Sequence, residues 1–336
     1  MDPVTHTLAS VVLARAGLDR ATPRAAAMMI AAGLAPELDL LTLFSSDAGP
    51  YLRYGGALTH SLIGAAAAAG LVALLFWLAG RRHPKSPVPL GGALAACLAS
   101  AAAHLFLDTL TPYGARLLWP ARERWFAADL TFLADAPILG VLLAGLVLPL
   151  LFRLVTEEIG ARAGRRGPQI WALAALVLVA LYLGGRWHRR QQALAMLNTR
   201  IYHGAGALRI AAFPAAISPW RWRAIVETEN TFEEIDVRIG GYFDPERSRT
   251  NYKPEPSPAF EAARATDTLR LFRRWARFPV AGIHALPEGR GTRIELRDLR
   301  FHERGAGRQP WRGILAVVEL DPQLRVIHEE LRWAAP

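Results

Sequence analysis

Residues 86–114 read SPVPLGGALAACLASAAAHLFLDTLTPYG. From Ser86 to Leu107 the run carries no Asp, Glu, Lys or Arg. A helix needs roughly 20 apolar residues to cross the hydrocarbon core of a bilayer, so this stretch is long enough to span one. Near its end His104 and Asp108 lie four residues apart, a spacing that places both on one helical face. An imidazole nitrogen and a carboxylate oxygen can then converge on one cation. Thr111-Pro112-Tyr113-Gly114 stops the helix, which puts the pair near a membrane surface and not at mid-depth.

Three further runs share this character: Leu62–Gly80, Ala136–Phe152 and Gly167–Gly185. Two shorter apolar stretches, Val4–Ala14 and Ala25–Leu34, precede them, split by Gly17, Pro23 and charges. They read as helices that enter part-way or pack on the bundle. Residues 1–184 hold 14 Lys/Arg and 11 Asp/Glu, and residues 185–336 hold 25 and 18. The charged fraction therefore doubles, from roughly 14% to roughly 28%, and two environments are implied. The expected fold is an α-helical membrane bundle over residues 1–185, of about four spanning helices plus shorter N-terminal ones. A small α+β extramembrane domain over residues 186–336 follows it.

An ordinary soluble globule is thereby excluded. The net charge of +10 comes with no nucleic-acid-reading motif, so no nucleic acid is expected. The lipid bilayer, with its anionic headgroups, is a sufficient partner for the excess arginine. Cys97 is the single cysteine and cannot form an internal disulfide. The start Met1-Asp2-Pro3 has no basic region before an apolar one, and no cleaved signal peptide is expected. The connections Arg81–Lys85 and Arg153–Arg166 are basic, which makes their side cytoplasmic and leaves the chain beyond Gly185 periplasmic.

In the polar part, β-rich alternation marks Ala224–Glu229, Glu234–Ile239, Thr292–Leu299, Ile314–Leu320 and Leu324–Glu329. Asp321-Pro322-Gln323 forms a hairpin turn between the last two. Ser257–Arg277 reads as one amphipathic helix. Trp220-Arg221-Trp222-Arg223 reads as a strand edge with snorkelling arginines. His203, His284, His302 and His328 show no ligand spacing.

The rare polar residues of the apolar part form the chemical signal. His60 opens a span in Thr59-His60-Ser61, and antiparallel spans bring it to the membrane face of His104 and Asp108. Pro36-Glu37-Leu38-Asp39 adds two acids after an apolar helix, and His6 lies in Pro3-Val4-Thr5-His6-Thr7. His6, Glu37, Asp39, His60, His104 and Asp108 are the candidate metal ligands. Mixed nitrogen and oxygen donors suit zinc first, with manganese or iron as alternatives. Glu37 and Asp39 are the candidate catalytic carboxylates, Glu37 as a general base when it is not a ligand. Each piece also has a structural reading: a hydrogen-bonded helix-end pair for His104 and Asp108, and helix caps for Thr59 and Ser61. Asp135 reads as a cap of the third span, and Asp129 is left open.

These motifs, in this order and with Arg124-Trp125-Phe126, Asp129 and Asp135, resemble the bacterial inner-membrane-associated metal-dependent hydrolase family of the LexA-binding type. The resemblance covers about residues 1–150 and implies a multi-span inner-membrane protein with a divalent-metal site. Two departures stand out. Glu37 replaces the first Asp of the family's Pro-Asp-x-Asp, and Tyr54-Gly55-Gly56-Ala57-Leu58 lacks the histidine that the family carries ahead of Thr-His-Ser.

Two functions follow as expectations. One is a membrane-bound metal-dependent hydrolase that uses a metal-activated water on an ester or phosphoester substrate, lipid-derived ones included. The other is a non-catalytic membrane protein whose C-terminal domain binds a partner.

Overall fold

The computed structural model describes residues 1–82, 87–158, 167–241, 248–301 and 313–334. Residues 83–86 and 159–166 of the two basic connections, and His302, lie outside the described residues. The helices in the first part of the chain are α1 (Pro3–Arg15), α2 (Ala25–Leu34), α3 (Gly49–Tyr54), α4 (Leu62–Arg81), α5 (Leu90–Thr109), α6 (Ala136–Glu158) and α7 (Gly167–Asn198). A 3-10 segment, Ala35–Phe44, follows α2. Among the described residues, four helices are long and apolar enough to cross a membrane: α4, α5, residues Ala136–Val155 of α6, and α7. The two shorter N-terminal helices are present as well. The fourth apolar run and the polar residues after it form one continuous helix, because nothing between Gly185 and Leu197 breaks the backbone pattern.

The chain forms two compact units. The first comprises Met1–Asp39, Gly56–Gln191 and Phe213–Pro219. Its helix ends are set locally. Asp2 accepts the Thr5 amide at 3.0 Å, and Pro3, which has no amide donor, occupies the first turn of α1. Ser61 accepts the Gly64 amide at 3.0 Å and starts α4. Helix α5 packs against α1, α2 and α4. The core between them is largely alanine: Ala32, Ala65, Ala69, Ala73, Ala96 and Ala101, filled out by Met28 and Met29.

Small residues let helix backbones approach closely, which is how helices associate where lipid is as apolar as leucine. Gly33 shows the limit, since a Cβ there would lie 2.4 Å from Ser10 Oγ and 2.7 Å from Ser100 Oγ. Those two hydroxyls are 2.8 Å apart; Ser100 donates to the Met29 carbonyl and Ser10 to the His6 carbonyl, both at 2.7 Å. Helices α1, α2 and α5 are thus locked at one level, with α1 antiparallel to α5. His6 lies one turn before Ser10 and His104 one turn after Ser100. By contrast α4, α6 and α7 expose Leu71, Leu75, Leu150, Leu154, Val177 and Leu181, surfaces suited to lipid.

The second unit comprises Leu40–Gly55, Gln192–Ala212 and Trp220–Pro336. Strands β1 (Ile201–Tyr202) and β2 (Ala205–Gly206) pair by themselves. A four-stranded sheet runs in the order β3 (Arg209–Pro214), β4 (Arg221–Glu227), β5 (Thr231–Arg238), β6 (Arg249–Tyr252). Helices α8 (Pro258–Arg264) and α9 (Asp267–Trp275) follow. The second sheet has the order β10 (Val326–Trp333), β9 (Ile314–Leu320), β8 (Thr292–Asp298), β7 (Pro279–Ala285), with neighbours antiparallel.

A bundle of spanning helices with an α+β domain after it is therefore the observed class. Three local expectations are corrected. Ser257–Arg277 is two helices, because Thr266 accepts the Leu269 amide and caps a second start. Trp222 lies in β4, an interior strand, with its ring buried, and not on a sheet edge. The β9–β10 turn runs from Asp321 to Arg325, so β10 begins at Val326. Leu40–Gly55 belongs to this unit: the Ala48 amide donates to the Leu331 carbonyl at 2.8 Å and Trp333 Nε1 to the Ser45 carbonyl at 3.1 Å.

Candidate metal centre

All six candidate ligands belong to the first unit, and the fold brings them together. His6 comes from α1, Glu37 and Asp39 from the 3-10 segment after α2, His60 from the turn before α4, and His104 and Asp108 from the last turns of α5. Thr59 donates to the Pro36 carbonyl at 2.6 Å, which ties the His60 turn to the acidic segment. Glu37 remains the most open of the group, with 13% of its side chain exposed.

His60 Nε2, His104 Nε2 and Asp108 Oδ2 form a triangle. The two nitrogens are 3.3 Å apart, and Asp108 Oδ2 lies 3.2 Å from the first and 3.1 Å from the second. A tetrahedral cation with bonds of about 2.0 Å holds its donors about 3.3 Å apart, so these three atoms already have the spacing of one face of such a site. Asp39 Oδ2 sits 3.2 Å from His60 Nδ1, behind the ring. It is placed to hold a proton on Nδ1 and leave Nε2 free to coordinate.

On the other side, His6 Nε2 is 3.2 Å from Asp108 Oδ1 and 3.6 Å from Glu37 Oε1, and the His6 ring stacks on His104 with centroids 3.7 Å apart. The Met1 amine also contacts Asp108 Oδ1. Among the described residues, the buried Nδ1 atoms of His6 and His104 have no hydrogen-bond partner. Buried polar atoms are nearly always paired, so orphaned imidazole nitrogens among carboxylates fit a set of metal donors. Among the described residues, the donors fall into two groups that could hold a metal ion, His60–His104–Asp108 and His6–Glu37–His104.

Burial pulls the His6 imidazole down to about 4, against the pull of Asp108. Burial also lowers His60, but hydrogen bonds and charge from Asp108 and Asp39 outweigh it and carry the group up to about 9. Burial raises the Glu37 carboxyl. At neutral pH His60 is therefore protonated and His6 is neutral. A cation that takes His60 Nε2 must displace its proton, whereas His6 offers no proton to displace above about pH 4. Apparent metal affinity is expected to rise about tenfold per pH unit up to about pH 9 and then level off. Metal titrations at several pH values in detergent check this; a flat profile across that range contradicts it.

Asp129 and Asp135 go elsewhere. Asp135 caps α6 through the Ile138 amide at 3.4 Å and accepts from Tyr182 at 3.0 Å. Asp129, with φ +53°, faces Arg190 at 3.6 Å. Arg186 and Arg190, the partners of these acids, were legible only as charges after the last span. The Ser10–Ser100 pair that sets the level of the site carries a faint signal, each serine being one helical turn from a candidate histidine.

A family model described as YdjM inner membrane protein matches residues 1–193. No curated protein and no solved structure matches the chain.

Proposed function

The chain belongs to the YdjM inner membrane protein family, and from that premise we propose that it is a multi-pass, metal-dependent hydrolase with its C-terminal domain on the periplasmic side. The substrate is an ester or phosphoester with an apolar tail. The observation that carries the reading is the buried triangle of His60 Nε2, His104 Nε2 and Asp108 Oδ2, spaced as cation donors are. Zinc suits this set best, and manganese or iron accepts the same donors.

A divalent cation held there supplies a Lewis acid for a carbonyl or phosphoryl oxygen and makes nearby water more acidic. His60, His104 and Asp108 bind it. Asp39 positions His60 through Nδ1. Glu37, the most exposed of the set and raised by burial, accepts the proton of the attacking water and passes it to the leaving oxygen. Water oxygen bonds to carbon or phosphorus, the ester bond breaks, and the proton ends on the alcohol.

An apolar tail is favoured by the flanks of these residues. Leu38 lies between Glu37 and Asp39, Phe106 between His104 and Asp108, and Leu58, Leu62 and Ile63 around His60; all five are exposed. They are sequence neighbours of the polar residues, and their exposed hydrocarbon offers an apolar tail a surface at this level of the bundle.

Zinc-loaded protein in detergent, assayed against phosphodiester and carboxylic ester panels with short and long acyl chains, tests the reading. Long-chain substrates are expected to turn over faster, chelation to stop the reaction, and Glu37→Gln to lower kcat about 10²-fold or more while the cation at His60, His104 and Asp108 stays bound. Fully loaded protein that turns over neither panel overturns the enzymatic reading and leaves a membrane protein that binds a partner.

A further inference from the structure

The two oxygens of Asp108 face different histidines. Oδ2 lies 3.2 Å from His60 Nε2 and 3.1 Å from His104 Nε2, while Oδ1 lies 3.2 Å from His6 Nε2. The two donor groups correspond to these two sides, and they overlap at His104. A neutral imidazole nitrogen offers a single lone pair, and His104 Nε2 is committed to the His60 side by its distances of 3.3 Å and 3.1 Å. What remains opposite is His6, Glu37 and the second Asp108 oxygen, Oδ1, which at present has the positively charged Met1 amine against it, a contact that a cation there would replace.

That remainder is a site in its own right. The His6 side chain is completely buried, among the described residues Nδ1 has no hydrogen-bond partner, and Nε2 lies 3.2 Å from Asp108 Oδ1 and 3.6 Å from Glu37 Oε1. A histidine placed only for packing would bury an unpartnered Nδ1 beside two carboxylates for nothing. A carboxylate with one oxygen toward each of two donor sets is the arrangement by which paired cations are bridged, as in two-metal hydrolytic sites.

We propose that the cluster takes two divalent cations bridged by Asp108, one held by His60 and His104 and the other by His6 and Glu37; in that two-cation state Glu37 is a ligand, and the general-base role given to it above belongs to the single-cation state. This rests on the metal reading above and extends it. Hydrolysis by a two-cation centre clamps the attacking and leaving oxygens together, a task to which a single cation is less suited.

The test uses full-length protein, purified in detergent, stripped with chelator and titrated with Mn²⁺ alone. Bound manganese is counted by mass spectrometry after desalting, and electron paramagnetic resonance reports whether the ions are coupled. Wild type is expected to hold two Mn²⁺ per chain with an exchange-coupled spectrum. His6→Ala and the near-isosteric Glu37→Gln are each expected to hold one, with the spectrum of an isolated ion and an unchanged far-ultraviolet spectrum and elution volume. Glu37→Gln keeps the test open where His6→Ala fails to fold. A single uncoupled Mn²⁺ in wild type, or two in both variants, overturns the paired site while leaving a single-metal centre standing. No bound Mn²⁺ in wild type, together with no bound Zn²⁺ in a parallel zinc titration of the same stripped protein, overturns both.

Discussion

His104→Ala is expected to abolish stoichiometric metal binding. The imidazole supplies Nε2 to the triangle with His60 and Asp108 at 3.3 Å and 3.1 Å, and its ring also stacks on His6. Removing it leaves two donors of that triangle where a tetrahedral site needs at least three. The loss in affinity must exceed the ~10–100-fold typical of a partner that only orients a ligand. Asp39→Asn provides that comparison, since Asp39 touches His60 at Nδ1 and is expected to weaken binding by about 10–100-fold without eliminating it. Asp108→Ala is expected to behave as His104→Ala does. Metal analysis of detergent-purified variants reads all three, and a stoichiometric metal indifferent to both His104→Ala and Asp108→Ala would place the cation elsewhere.

Asp135→Ala is expected to be strongly destabilising. Asp135 is fully buried and the Arg186 side chain nearly so, with Arg186 Nη2 3.4 Å from the carboxylate. Tyr182 donates to both Asp135 oxygens at 3.0 Å and 3.2 Å and accepts from Arg186 Nε at 2.9 Å. Arg186 Nη2 also donates to the Ala215 carbonyl at 3.2 Å. Truncating one partner of a buried ion pair leaves the other charge unpaired and costs about 3–5 kcal/mol. The α6 cap is lost as well, worth a further ~1 kcal/mol. Removing both charges, as Asp135→Asn with Arg186→Met, is expected to restore most of that loss, because an apolar replacement relieves desolvation of both ions. Unfolding midpoints in mixed detergent measure the series. A loss below about 1 kcal/mol for Asp135→Ala would mean that water reaches the pair.

The i,i+4 pair shows how far local spacing carries a functional reading. His104 and Asp108 had to share a face once α5 was helical, and their contact at 3.1 Å follows from the helix alone. That His60 meets them depends on where α4 starts, which Ser61 sets locally, and on α4 packing beside α5. Asp39 and Glu37 are two residues apart in sequence yet reach opposite sides of the cluster: Asp39 touches His60 and Glu37 faces His6. No periodicity reading could separate them, because their roles depend on which neighbouring helix each one meets.

The sequence by itself determined the membrane class, the four spanning helices, the two N-terminal helices and the change to a charged α+β domain. Those features come from hydrophobicity and capping summed over one segment at a time. Only the tertiary structure decided that α1, α2, α4 and α5 bring six polar side chains to one place, that Leu40–Gly55 packs with the second unit, and that β4 is an interior strand. Each of these rests on contacts between residues tens to hundreds of positions apart. The close approach at Gly33, and the hydroxyl pair of Ser10 and Ser100 beside it, fixes the level at which His6 faces His104.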